Sequence, residues 1–491
     1  MATAAPPASP APAAQFIQGI GPIDAISLVV GTMIGSGIFI VSADIARQVG
    51  PWGAGALLLL WLVTGVMTVT GALAYAELAA MMPTAGGQYV FLRDGLSPMV
   101  GFLFGWTLFA VIQTGTIAAV AVAFGKFISV LLPGITPDVY LSLGHLAMPG
   151  GTIEIGLSHQ RLVALGVVLV LTLLNIRGVT LGATVQTIFA VAKVAAMALL
   201  IVAGLILFRK PAVAAANFGN FWGTGEWSLA LVPILGAAMV GSLFAADAWN
   251  NVTFAAAEVR DPRRNLPLAL AAGTGIVSLL YLLANVAYLS LLPLLGDPNG
   301  ADTIARGLQY AAQDRVGVAA AEVMFGPAGA TFMAVAIMLS TFGCVNGLVL
   351  AGPRVYYAMA KDRLFFRRAG VLHRTFRTPT FGLASQAVWA MILCLSGTYG
   401  NLLDYVIFAS LLFYAFTTLT LFRLRRTRPD LPRPVKAFGY PLLPALYLLS
   451  VVALMVILLF RKPLYTWPGL LIVGLGVPVY LAWRRGSSAG E

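Results

Sequence analysis

Charge is scarce in this 491-residue chain: Asp, Glu, Lys and Arg supply 10% of it, against about 25% in a soluble domain. That scarcity excludes an ordinary water-soluble globule. Cysteine is nearly absent. Cys344 and Cys394 both fall in apolar stretches, which excludes a disulfide framework and leaves two small packing residues. The three histidines, His145, His159 and His373, lie in loops without ligand spacing, so no metal and no cofactor is implied. A membrane enzyme would want a cluster of His, Asp or Cys within its spans. None is seen, so the chain is not expected to be an enzyme. Met1 to Pro12 carry no basic residue and lack the positive start of a signal peptide; residues 1–20 read as a disordered cytoplasmic tail.

What the chain has in excess is apolar length. It is 59% hydrophobic, with a mean hydropathy of +0.90. Runs near 20 residues suit a bilayer core of roughly 30 Å. Twelve transmembrane helices are expected, at about 23–47, 55–80, 100–130, 160–176, 183–208, 229–249, 267–293, 326–352, 380–397, 402–424, 440–460 and 465–483. The fold class is therefore an all-α membrane protein. With the N-terminus cytoplasmic, 20 of the 30 lysines and arginines fall in cytoplasmic loops, span edges and tail, and nine fall outside. The bias places both termini inside. It also gives the net charge of +12 a cause other than nucleic acid, for which no motif is present.

Two spans carry helix-breaking composition. Gly31-Thr32-Met33-Ile34-Gly35-Ser36-Gly37 puts three glycines in seven positions, each costing about 0.5–1 kcal/mol relative to alanine in a helix. Freed backbone groups cost several kcal/mol each in lipid, so such a break must face protein, water or ligand. Residues 236–250 are rich in small side chains, with Gly241-Ser242 as the expected second weak point. Spans 1 and 6 would then open matching sets of five on opposite sides, the pattern of an inverted repeat whose broken helices meet at the midplane.

These segments resemble a known family. Gly31 to Phe39 is similar to the first-helix signature of the amino acid–polyamine–organocation (APC) transporters. Glu77 to Tyr89 resembles the family's second-helix exit, and Glu258 to Pro267 its loop after helix 6. Ser340 to Asp362 is close to the L-type amino acid transporters and their bacterial relatives. The resemblance covers about residues 20–440. It implies a LeuT-type 5+5 inverted repeat, with a first repeat at 21–210, a second at 211–426, two further helices at 427–485 and a cytoplasmic tail at 486–491. It also implies a plasma (inner) membrane carrier. Bacterial relatives act alone, so no accessory subunit is expected.

The backbone chemistry can be argued on its own. A zwitterionic amino acid needs complements for a carboxylate and an ammonium. N–H groups of Ile34, Gly35, Ser36 and Gly37, opening a second half-helix, suit the carboxylate. Carbonyls near Thr32 and Met33, and near Leu243, Phe244 and Ala245, suit the ammonium. A bulky residue at Gly35 would fill that cradle. The family match makes Phe244 an aromatic gate over the substrate. Tyr281 and Asn285, four apart, share a helix face and are candidate lining residues. Asp247 has either a functional or a helix-end role. Glu77 and Glu258 read as gate or loop anchors, and Asn346 as bonded to backbone.

Lys193 stands mid-span with no acid in its helix. Its ammonium must find carbonyls of broken helix 1, or Ser340 and Thr341. A lysine there resembles sodium-independent members of the fold, with the ammonium replacing the ion. The expected function is sodium-independent exchange of small or medium neutral L-amino acids by alternating access. The alternatives are proton-coupled symport and antiport of polyamines or cationic amino acids; outside the carrier class stands a channel or membrane scaffold.

Overall fold

The computed structural model describes residues 16–148, 151–396 and 399–488. Of the expected tails at 1–20 and 486–491, residues 1–15 and 489–491 lie outside these residues; Ile20 is instead tied by backbone bonds to Glu258 and Arg260, and the last helix runs on to Ser488. Nine helices among the described residues are long and apolar enough to cross a bilayer. Three shorter apolar helices accompany them, at Pro22–Met33, Leu229–Ala245 and Thr380–Ser396. The expected twelve full-length spans are thus not all present as such. Two of the short helices are the ones cut by breaks, and neither piece alone reaches roughly 20 residues.

Helix α1 (Pro22–Met33) starts with proline at its first position, where the missing N–H costs nothing. Asp24 accepts the Gly21 N–H at 3.1 Å, within the positive first turn. The helix stops where Ile34 leaves helical geometry, at φ −75° and ψ 90°. A short turn at Gly37–Phe39 leads into α2 (Val41–Val49). The chain then continues through α3 (Gly53–Met81), α4 (Pro98–Leu131), α5 (His159–Ile176) and α6 (Val179–Val202).

The second broken helix comprises α7 (Val232–Ala245) and the one-turn α8 (Asn251–Phe254). Its break falls at residues 246–250, not at Gly241-Ser242 as expected. Ser242 sits comfortably in the helix because its hydroxyl meets the Met239 carbonyl at 3.0 Å and Thr64 at 2.7 Å. Ala248, at φ 65°, makes the turn instead. Next come α9 (Pro262–Leu291) and α10 (Val316–Lys361), kinked at Gly326 where φ is 67°. The last four helices are α11 (Thr380–Ser396), α12 (Tyr399–Thr427), α13 (Leu442–Arg461) and α14 (Pro463–Ser488).

The all-α expectation needs one amendment. An antiparallel hairpin, β1 (Leu141–Met148) with β2 (Gly151–Leu157), lies between α4 and α5. The alternation of Ile153, Ile155 and Leu157 was its legible signal.

One end of the bundle is closed by ionic and backbone ties. Arg354 and Glu258, both buried, pair through two contacts of 3.0 Å. Ile20 N–H meets the Glu258 carbonyl at 3.0 Å, and Arg260 N–H meets the Ile20 carbonyl at 2.9 Å. Glu77, also buried, receives Arg425 at 3.0 Å and the Ala437 N–H at 2.7 Å. The two glutamates are anchors at this end. At the opposite end a vestibule of about 530 Å³ opens beside Asp44 and Asp314.

Candidate functional site

The two helix breaks touch. A Cβ added to Gly37 would lie 2.6 Å from Ala245 Cβ and 2.8 Å from Ala245 Cα. Only glycine permits that approach. Thr32 Oγ1 crosses to the Ala248 carbonyl at 3.0 Å. The Tyr281 hydroxyl spans both breaks, 2.9 Å from the Met33 carbonyl and 3.0 Å from the Ala245 carbonyl. A phenol has one proton to give. The Met33 carbonyl also accepts the Gly35 N–H at 2.9 Å, so when the phenol serves Met33 the Ala245 carbonyl is left for a further donor. The N–H groups of Gly37 and Ile38 have no acceptor among the described residues. The meeting point therefore offers spare donors beside a shared acceptor pair, as a zwitterion needs.

Lys193 lies behind this junction, 2% exposed. Its Nζ donates to the carbonyls of Gly31 at 2.9 Å, Ile34 at 2.6 Å and Ser340 at 2.9 Å. Ser340 Oγ adds bonds to the Ile34 and Gly35 carbonyls at 3.1 and 3.2 Å. The end of a helix carries partial negative charge, so an ammonium there is favourably placed. Thr341 does not join the cluster; its hydroxyl bonds the Ile337 and Met338 carbonyls of its own helix.

Of the remaining candidates, Ser36, Leu243 and Phe244 are all buried at the breaks. The Phe244 carbonyl is bonded by the Asp247 N–H at 3.2 Å, which leaves Ala245 as the more accessible carbonyl. Asn285 accepts from Ser42 of α2 at 2.7 Å and donates to the Tyr281 carbonyl at 2.8 Å, so its side-chain bonds are taken up by the protein. Gly35 does not point into the cradle. Its Cβ would meet Cys344 Sγ at 3.0 Å and Val120 beyond, so a larger residue there would strike α10 and α4. Gly37 is the position that faces the second break.

Cys344 was undervalued as a packing residue. Its thiol reaches the Thr32 carbonyl at 3.0 Å and closes another group freed by the break. The signal was its spacing: four residues after Ser340, it shares that residue's helix face. Asp247 is bonded by the Tyr414 and Ser410 hydroxyls. No cation pairs with it among the described residues. Asn346 bonds the Gly182 carbonyl at 3.1 Å, and Gln113 reaches Asn251 at 3.0 Å. No group of three or more potential metal ligands occurs among the described residues.

The family described as Amino acid permease matches residues 20–480, nearly the whole chain. The chain belongs to the amino acid permease family. It is thus a multi-pass APC-superfamily amino acid transporter and not an enzyme. Human "Large neutral amino acids transporter small subunit 2" (Homo sapiens) is 32% identical, across 94% of this chain and 79% of its own. The "b(0,+)-type amino acid transporter 1" of Mus musculus is 28% identical, across 91% and 83%. The human protein of that second name is 29% identical, across 95% and 89%. The first relative's name overturns one expectation. A small subunit is part of a larger transporter, so action without an accessory subunit no longer stands.

Proposed function

We propose that this permease moves small or medium neutral L-amino acids by sodium-independent exchange, through alternating access. Paired contact of the two breaks, Gly37 against Ala245 with Tyr281 across both, carries the reading. The substrate carboxylate docks on the N–H groups following Gly35. Its ammonium takes the Ala245 carbonyl, which Tyr281 leaves when it bonds Met33, and Phe244 covers the side chain. Lys193 holds the freed carbonyls where a sodium ion would otherwise be needed. The architecture in this reading is the LeuT-type 5+5 repeat, 21–210 and 211–426, followed by two helices to residue 485. Both termini are cytoplasmic in the plasma membrane, so the 530 Å³ vestibule faces outward and the Arg354–Glu258 end is the closed inner gate.

The large neutral amino acids in the human relative's name support a neutral substrate, and its naming as a small subunit brings an accessory chain into the proposal. The complex is therefore purified on a tag carried by this chain and reconstituted in proteoliposomes. Uptake of one neutral amino acid should saturate, rise with unlabelled amino acid inside, and stay constant when sodium replaces choline at fixed ionic strength. A steep rise with sodium would refute the role given to Lys193. Asp247, buried and without a cation among the described residues, favours antiport of cationic substrates as a second reading. Lysine, arginine or a polyamine competing better than leucine would select it. A dependence on an imposed pH gradient would select proton symport.

Tyr281→Phe removes one shared proton and keeps the ring that packs edge-on against Trp61 at 5.5 Å. Dissociation constants for the amino acid should rise about tenfold, the worth of one buried hydrogen bond. The melting temperature should change little. Unchanged affinity in isothermal titration would remove Tyr281 from the site.

A further inference from the structure

We propose that the vestibule is a receiving site for the amino acid's carboxylate, formed by Lys126 and Arg161 before the substrate reaches the helix breaks. This rests on the carrier reading and on the vestibule's facing outward.

The cavity ends inward on Ile40, Val41 and Gly241. Those residues lie about one helical turn from Gly37 and Ala245. A Cβ on Gly241 would approach Val41 Cβ at 3.0 Å, so the two broken helices close the floor there. A substrate entering from the open end must pause above this floor.

The charges in the wall are unevenly matched. Arg47 pairs with Asp314 at 2.7 Å and with Asp44 at 3.5 Å, and Lys462 pairs with Asp404 at 2.8 Å. These pairs engage every carboxylate in the lining. Three carboxylates face four cations, so the wall carries one net positive charge, and two of its cations stand outside these salt bridges. Lys126 Nζ has no hydrogen-bond or salt-bridge partner among the described residues. Arg161 is 8% exposed and sends Nη1 to the carbonyls of Gly156 at 2.8 Å and Leu395 at 2.9 Å. No carboxylate reaches Arg161 within salt-bridge distance among the described residues.

These two cations come from adjoining positions on packed helices. Gly125 lies against Gln160, where an added Cβ would sit 2.6 Å from the Gln160 carbonyl oxygen. Lys126 and Arg161 are the next residues of those two helices. Two cations outside the salt bridges, in a low-dielectric wall of net positive charge, concentrate small anions. Fixing the guanidinium on two carbonyls lowers the ordering cost of a carboxylate contact. The shared ligand chemistry is a small monoanion, either the substrate carboxylate or inorganic chloride.

Lys126→Cys in the tagged complex, expressed in intact cells, tests the site. Cys344 and Cys394 are both buried, and the unmutated complex controls for them. Uptake KM should rise roughly fivefold with kcat unchanged, the size of a partly screened ion pair. A membrane-impermeant thiosulfonate carrying trimethylammonium should restore KM, and its sulfonate counterpart should raise KM further. A KM that ignores the charge placed at position 126 overturns the proposal. If that charge matters only when chloride is present and not when methanesulfonate replaces it, the occupant is chloride and the carboxylate assignment falls. Loss of saturable uptake in the unmutated complex would refute the carrier reading itself, independently of position 126.

Discussion

Lys193→Ala is expected to reduce amino acid uptake at least about 100-fold while the purified transporter keeps most of its thermal stability. The ammonium makes three charge-assisted bonds, to the carbonyls of Gly31, Ile34 and Ser340. Each such bond is worth about 1.5–3 kcal/mol, so losing two of them without replacement corresponds to two decades or more. Ile34 keeps Ser340 Oγ at 3.1 Å, but Gly31 and Ser340 lose the lysine altogether. The loss lands where α1 gives way to its break, and the rest of the core is untouched. Arginine should not rescue. Gly343, whose added Cβ would lie 3.5 Å from Lys193 Cε, marks how closely α10 approaches the lysine stem. A planar guanidinium cannot aim at three convergent carbonyls in that space. Initial rates and melting temperature are measured on the same preparations. A fall in melting temperature that accounts for the whole loss of uptake would make Lys193 a folding residue only.

The first break was legible because three glycines in seven positions carry a helix cost that composition alone shows. Lys193 was legible for a related reason: an ammonium within a span must meet carbonyls, and a broken helix frees them. The second break was misplaced by several residues. Gly241 looks like a weak point but serves close packing against Val41, while the turn is made by Asp247, Ala248 and the following asparagines. Asp and Asn favour turns through side-chain bonds to nearby backbone, and Asn251 bonds the Ala248 carbonyl at 2.9 Å. That polar run in an apolar span was the better signal. Asn285 and Thr341 carried the right residue types at the right depth, yet helix rotation turned one toward Ser42 and the other toward its own backbone. Side-chain type fixes what a residue needs, and packing fixes who supplies it. An accessory chain such as the human relative's name implies for that relative would be illegible for a physical reason too. In a bilayer, a helix face that meets another chain is about as apolar as one that meets lipid.

Gly37→Ala tests the junction with the smallest possible change, and substrate affinity is expected to fall at least about 100-fold. The new methyl would stand 2.6 Å from Ala245 Cβ and 2.8 Å from Ala245 Cα. Neither atom belongs to a flexible side chain, so the two broken helices must move apart. Overpacking of this kind costs about 1–3 kcal/mol in a well-packed core. The separation has a second consequence. Tyr281 reaches Met33 and Ala245 at 2.9 and 3.0 Å, near the optimum for both, and parting the helices removes at least one bond. The donors near Gly37 and the acceptor at Ala245 then no longer face one zwitterion at the same time. Adding Ala245→Gly removes the closest clash and should recover part of the affinity, so the pair should be non-additive. Gly275→Ala, which meets nothing within 4 Å, should leave affinity unchanged. Equilibrium binding of labelled amino acid to the purified transporter reads the wild type, the two single variants, their double and Gly275→Ala, five proteins, without requiring transport. Wild-type affinity in Gly37→Ala would mean that the contact between the breaks is packing, and the substrate must then be sought on another face of the broken helices.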